Sequence, residues 1–270
     1  MGHAEWDEID KKDSEIGCPF KTVEDVLSFD PLTEYKLPDI DIITTRFKNR
    51  FKEAEELFTD AVVTGGRYNS LFSACIRTFG WDMFLTSVPG NEKKFDRILE
   101  GFFKITQKEI QAWLNTDIKV YITHDDIAWK TGAVFNPDWY RKYIFPRYKK
   151  LWAPLREKGI KVIFYADGNY NEFIDDVADA GADGFGFDSD TSLELVAGKY
   201  GKDKIIIGNA DCRILQNGTK EDIEAEVKKC IDIGKDCPGY FMCVANHIPN
   251  GIPMENIDHY FKCYEKMRIR

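Results

Sequence analysis

Residues 161–188 read KVIFYADGNYNEFIDDVADAGADGFGFD, and their pattern decides the fold. The apolar run Val162-Ile163-Phe164-Tyr165 breaks at Ala166-Asp167-Gly168-Asn169. An amphipathic stretch follows, and Gly181 precedes a second apolar run that ends at Asp188. This spacing predicts a strand, a polar turn, a helix and another strand, the unit from which parallel α/β folds are built. Carboxylates follow both strands, at the ends where such folds place their ligands.

The same unit recurs on either side. Strands are predicted at 61–64, closed by Gly65-Gly66, and at 118–123, 162–165, 184–187, 205–208 and 240–244. Helices are predicted at 46–58, then after the glycines to about Thr86, and at 91–115, 136–158, 173–180, 193–199, 221–233 and 254–267, with Pro146 expected to kink the one at 136–158. Thr219 and Asp222 have the spacing of a capping box, with Asp in the Glu role. The strand runs are rich in Val, Ile and Phe and hardly alternate, as in a parallel sheet covered on both faces. No glycine-rich phosphate loop follows a strand, which removes the usual nucleotide signatures.

The expected fold is therefore α/β, a (β/α)8-type TIM barrel in preference to an open doubly wound sheet. About six strands are legible against the eight of a complete barrel, so an N-terminally truncated barrel of about six βα units is expected. Residues 1–45 are polar and rich in Asp and Glu. They are expected to form an irregular lead-in with one short helix near 23–27, ahead of a barrel domain at 46–270.

Composition sets outer bounds. With 270 residues and 43% hydrophobic content the chain can build a substantial core. A net charge of -9 argues against nucleic acid or an anionic membrane as the main partner. No apolar run approaches the ~20 residues of a membrane span, and the acidic N-terminus is unlike a signal peptide, so a cytoplasmic location is expected. The 7 cysteines are scattered and contain no Cys-x-x-Cys pair, which points to reduced, mostly buried thiols.

Nearly every predicted strand is followed by polar groups. They are Arg67, Tyr68 and Asn69; His124, Asp125 and Asp126; Asp167 and Asn169; Asp188 and Asp190; Asn209, Asp211 and Cys212; Asn246 and His247. A barrel would bring all of these to its C-terminal mouth. Asp125 and Asp126 stand side by side, and crowded carboxylates can share a proton, which raises one toward a general-acid role. The alternative is a helix cap and an ion pair to Lys130. Asp167, Asp188 and His247 have the residue types of a zinc set. Asn209 either meets substrate or ties adjacent loops through backbone bonds, and Asp211 either meets substrate or caps the next helix. Tyr68 beside Arg67 suits an acidic or aromatic ligand.

Four stretches in order give a family resemblance: VYITHDDIAWKTGAVFNPDWYRKYIFPRYKKLW at 120–152, FYADGN with FIDDVADAGADGFGFD at 164–188, YGKDKIIIGNADCRIL at 200–215, and GYFMCVANHIPNGIPMENI at 239–257. Together they resemble the uroporphyrinogen decarboxylase superfamily, over about residues 20–270. The resemblance implies a (β/α)8 barrel and one of two activities. One branch decarboxylates the acetate arms of a tetrapyrrole without a cofactor. The other moves methyl groups to or from a corrinoid protein, several members using zinc.

The Arg-Gln-Ala-Gly-Arg motif of the decarboxylases is absent, which argues against a pocket for a poly-carboxylate. Zinc methyltransferases of the family carry His-x-Cys where this chain has Tyr165-Ala166-Asp167, and a second Cys near Asn246, which is also missing. The stretch 124–149 is most similar to the demethylating branch, which takes methyl from a methoxylated or methylamine-type donor. The resemblance therefore implies a methyltransferase with a corrinoid carried by a partner protein and a small-molecule methyl donor.

In that reading Asp125, Asp126, Asp167 and His247 are catalytic, and Tyr68, Asn169, Asp188, Asn209, Asp211 and Asn246 bind substrate. Asp167 and His247 are the residues offered to a metal, and the missing cysteines argue against zinc. The absent N-terminal units would come from a separate subunit, from a homodimer contact, or from residues 1–45 wrapping the gap. A tetrapyrrole decarboxylase and a non-catalytic truncated-barrel subunit remain the alternatives.

Overall fold

Strands paired in parallel carry the fold of the computed structural model. It describes residues 18–245 and 247–268, with the backbone of two further short strands near the N-terminus. By internal contacts the chain forms two units, Met1–Asp125 with Pro137–Lys161, and Asp126–Asn136 with Val162–Arg270.

The first unit opens with an antiparallel pair, β1 (Ala4–Asp7) and β2 (Lys12–Glu15). Helix α1 (Val23–Ser28) starts at a capping box of Thr22 and Asp25, and α2 (Pro31–Glu34) starts on the Asp30 side chain with Pro31 in its first turn. Then come α3 (Ile40–Leu57), β3 (Gly65–Tyr68), α4 (Phe72–Ser87), α5 (Glu92–Trp113) and β4 (Val120–His124). The lead-in expected to be largely irregular thus holds two short helices and the start of a third.

The helix expected at 136–158 is two: α6 (Pro137–Tyr143) and α7 (Phe145–Glu157). The break falls at Ile144, so Pro146 sits in the first turn of α7, where its missing N–H costs no hydrogen bond. A cluster of fully buried rings from α4 to α7 (Phe72, Phe79, Phe84, Phe95, Tyr140, Trp152) forms the core of this unit.

β3 and β4 pair in parallel, with Gly65 opposite Tyr121 and Tyr68 opposite His124. The strand expected at 61–64 is displaced onto the glycines, and Val62 is 71% exposed. The cause is close approach. A Cβ on Gly66 would lie 2.5 Å from the Ile122 carbonyl oxygen, and one on Gly65 would lie 2.5 Å from Ile118 Cδ1 and 2.9 Å from the Trp113 ring. Residues without side chains fit there, and the β-branched run before them does not.

The second unit begins with a small antiparallel pair, β5 (Ala128–Trp129) and β6 (Gly132–Ala133). Next come β7 (Lys161–Ala166), α8 (Ile174–Ala180) closed by a left-handed Gly181, β8 (Gly184–Phe187), and α9 (Leu193–Tyr200). They are followed by β9 (Ile205–Ile207), α10 (Cys212–Asn217), α11 (Lys220–Gly234), β10 (Tyr240–Phe241) and α12 (Met254–Met267).

Strands β7, β8, β9 and β10 are parallel neighbours in chain order, and all of β8 is buried. The predicted capping box on α11 is present, with Thr219 and Asp222 each bonding the other's backbone N–H. The strand expected at 240–244 ends at Phe241, and a single parallel bridge from Ala210 to Val244 extends its pairing. The cysteines of the described residues are all free thiols, and Cys75, Cys230, Cys237 and Cys263 are buried.

Replacing Gly66 with Ala sets a methyl against the β4 backbone. Urea unfolding is expected to show a loss of about 1–3 kcal/mol, as overpacking typically costs. A Gly66→Ala protein as stable as wild type would refute the close-approach account.

Candidate active site

In the first unit, Leu71 precedes α4 and has no side-chain oxygen to cap it. The orphan donors of that first turn are met by Asp125, fully buried just beyond β4. Its Oδ2 accepts the N–H groups of Leu71 (2.9 Å) and Phe72 (3.0 Å), and its Oδ1 accepts that of Ser73 (2.6 Å). The Tyr148 hydroxyl of α7 donates to Oδ2 at 2.6 Å. A carboxylate held this way matches the positive end of the helix dipole. Asp125 therefore joins β4, α4 and α7, and its oxygens are committed to that task. Asp126 has a different partner, the Asp167 N–H, so the geometry lends no support to a proton shared between the two neighbours.

Alternation along β3 sends its side chains to opposite faces. Arg67 forms an ion pair with Glu109 of α5. Beside that pair lies Tyr121, whose phenol burial pushes far above its ordinary range. Tyr68 stacks on His124 with ring centroids 4.0 Å apart and 12° between planes, and the residue is 60% exposed.

In the second unit the turn after β7 is held from several sides. Its Asp167 N–H bonds Asp126 Oδ1 at 2.9 Å, and its Gly168 N–H bonds Asp188 Oδ2 at 2.8 Å. The Gly168 carbonyl accepts the buried Thr191 hydroxyl at 2.7 Å, and the Asn169 N–H reaches the Trp129 carbonyl of β5 at 3.0 Å. Gly168 needs φ +82° for this turn, and a Cβ would meet the Ala128 carbonyl oxygen at 2.7 Å. Asp188 also accepts the Asp190 N–H through Oδ1 at 2.9 Å. Asn209 donates to the carbonyls of Asp188 (3.1 Å) and Thr191 (2.9 Å), which makes it the loop tie foreseen as one of its two readings. Its Oδ1 is buried without a partner.

Asp126, Asp167, Asn169, Asp188 and Asn209 thus belong to one hydrogen-bonded network. Thr191 is a member that the sequence reading missed; a Thr in a loop carries no distinguishing signal.

Asp211 caps α10 by accepting the Arg213 N–H at 2.8 Å, and the Arg213 guanidinium grips both of its oxygens at 2.7–2.9 Å. Burial alone would raise the Asp211 carboxyl, and the bonds from Arg213 outweigh it, holding the group below the usual carboxylate range. Arg213 also bonds Ser189 Oγ at 3.1 Å and approaches Asp190 at 3.7 Å. Sequence reasoning passed over it, although Asp-x-Arg at a helix start is a visible pattern. His247 is exposed in the segment after β10, where its carbonyl accepts the Cys212 thiol at 3.4 Å. Asn246 lies outside the described residues.

A thiolate zinc site at the end of β7 does not fit these residues. Tyr165 stands where zinc-dependent relatives are expected to hold His, and burial drives its phenol well above the ordinary range, which keeps it a neutral and poor ligand. Asp167 supplies a hard oxygen in place of sulfur.

Parallel strands whose following turns carry a bonded set of carboxylates place the chain in the α/β class of (β/α)-barrel type. Its fold is shared with a solved methyltransferase from Methanosarcina mazei, with a TM-score of 0.67 and 18% identity over 96% of this chain and 73% of that one. The profile of the uroporphyrinogen decarboxylase family matches residues 60–267, and the chain belongs to that family. The uroporphyrinogen decarboxylase of Geobacter sulfurreducens is 30% identical over 164 residues, 61% of this chain and 47% of that protein. The methylcobamide:CoM methyltransferase MtbA of Methanosarcina mazei is 26% identical over 132 residues, 48% of this chain and 38% of that protein. The chain spans about half the length, or less, of the curated relatives it matches.

Asp125→Ala strands three backbone donors and the Tyr148 hydroxyl inside the protein. A loss of about 3 kcal/mol or more is expected in urea unfolding, from several buried groups left unpaired. Full stability of that variant would show that α4 does not need the cap.

The Asp211–Arg213 pair predicts a pH signature. Because the folded carboxyl is lowered, its contribution is fully present above the unfolded Asp value of about 3.9 and fades as pH falls toward the folded one. The stability gap between wild type and Arg213→Ala should therefore be flat near neutrality and close below about pH 4. A gap that widens in acid would contradict the pairing.

Proposed function

We propose that this chain takes part in corrinoid-dependent methyl transfer, drawing a methyl group from a methoxylated or methylamine-type small molecule for a corrinoid carried by a partner protein. The observation that supports the reading best is the Asp167 turn, whose backbone is bonded by Asp126 on one side and Asp188 on the other. The likeness to a methylcobamide:CoM methyltransferase supports the class of reaction. With Tyr165 and Asp167 in place of His-x-Cys, the end of β7 itself offers no soft ligand to activate a thiol acceptor, which favours the donor side of the reaction.

When a methyl ether is the donor, its carbon–oxygen bond breaks with the electron pair left on oxygen, and that oxygen needs a proton as it departs. The partner's corrinoid would supply the nucleophile that accepts the methyl group. In this reading Asp167 delivers the proton to the leaving oxygen. Asp126 and Asp188 fix its backbone, and Asn169 orients the donor. His247 is assigned a second polar contact with the leaving group, and Asp125 keeps to positioning.

Demethylation assayed with the cognate corrinoid protein should fall about a hundredfold or more in Asp167→Asn, the typical worth of a positioned acid. Unchanged turnover in that variant would remove Asp167 from the chemistry.

A second reading, decarboxylation of a tetrapyrrole, draws on the 30% identity to a uroporphyrinogen decarboxylase. Incubation with uroporphyrinogen, followed by counting product carboxyl groups, separates the two. No loss of carboxyl groups is expected, and a product short of carboxylates would reverse the order of the readings.

A further inference from the structure

A cluster away from the strand ends joins the last two helices. His259 and Cys263 lie one turn apart on α12 and share a face, and Glu224 reaches toward them from α11. Each residue offers one ligand atom, and these atoms all lie within 4.8 Å of one another. Cys263 is buried, whereas His259 and Glu224 are half-buried, so the thiol is shielded while the other two reach the surface.

We propose that Glu224, His259 and Cys263 bind a thiophilic divalent cation of the Zn2+ class, which staples α12 to α11.

The separation of Cys263 Sγ and His259 Nε2 is 3.4 Å. Tetrahedral zinc with ordinary Zn–S and Zn–N bonds requires roughly 3.5 Å between such atoms. The same Nε2 lies 3.1 Å from the Lys220 carbonyl oxygen. If it carries a proton it serves that carbonyl and gives the thiol no acceptor. If it carries a lone pair the carbonyl contact is lost. Coordination settles the thiol contact, because Nε2 and Sγ then both give electron pairs to one ion, while the Lys220 carbonyl in the first turn of α11 gives up its imidazole contact.

Cys263 releases its proton to solvent on binding, and the thiolate and the Glu224 carboxylate together balance the charge of the cation. Glu224 now faces Lys266 at 3.6 Å, a surface pair that is cheap to release. Water would complete the fourth position. None of these residues takes part in the proposed methyl transfer, so the two ideas stand or fall separately.

Chelator-treated protein titrated with Co2+ is expected to bind one equivalent, with a sulfur-to-cobalt charge-transfer band that Zn2+ abolishes. The band should be lost in Cys263→Ser and strongly reduced in His259→Ala and Glu224→Gln. Zn2+ should raise Tm and protect Cys263 from alkylation, read by peptide mapping so that the other cysteines do not confuse it. Should Cys263→Ser fail to fold, the His259 and Glu224 variants and the mapping decide. Absence of the band in wild type, or its survival in the variants, would overturn the proposal, as would alkylation of Cys263 unaffected by Zn2+.

Discussion

One buried carboxylate holds the first unit together. Burying a charge is costly unless donors surround it, and Asp125 has four, from the first turn of α4 and from Tyr148. It links a strand end, a helix start and a second helix in one stroke, so the direction of α4 follows from where β4 ends. Arg147, the neighbour of Tyr148, extends the linkage by pairing with Asp96 and Glu100 of α5. Burial first, and then the Asp125 charge, drive the Cys75 thiol upward, which leaves that cysteine an inert part of the core.

The second unit solves a related problem with neutral groups and carboxylates in alternation. Polar turns after parallel strands must satisfy their backbone groups where little secondary structure remains to do so. Here each turn is served by the side chain of another: Asp126 and Asp188 serve the turn after β7, Thr191 serves Gly168 and Tyr170, and Asn209 serves the turn after β8. The residues that look like a row of candidate ligands in sequence are thus largely each other's partners. What distinguishes Asp167 is that its backbone is served while its carboxylate carries the proposed chemistry.

Much of this was legible in the chain. The strand Gly184–Phe187 and the helix Met254–Met267 fall at their expected bounds because local pattern and tertiary setting agree there. Gly181 and the Thr219–Asp222 box are local signals read at short range. The displaced β3 was not legible, since its cause is contact with Ile118, Ile122 and Trp113, far along the chain. The role of Asp125 was hidden for the same reason: its backbone donors lie 52 to 54 residues away and Tyr148 lies 23 away, and a lone Asp after a strand looks alike whether it caps, pairs or reacts. Asp211 was easier, because its partner Arg213 sits two residues on.

Asn209 carries a liability of a different kind. Both of its amide protons are spent on carbonyl oxygens, so the orientation of the side chain is fixed by what it donates. Spontaneous deamidation would replace the donor with a carboxylate oxygen facing two carbonyls, with almost no change in shape. Ageing of that single amide would loosen the loop after β8, and with it the hold of Asp188 on the Asp167 turn. The durability of the network is then set by how tightly the surrounding backbone shields Asn209 from hydrolysis.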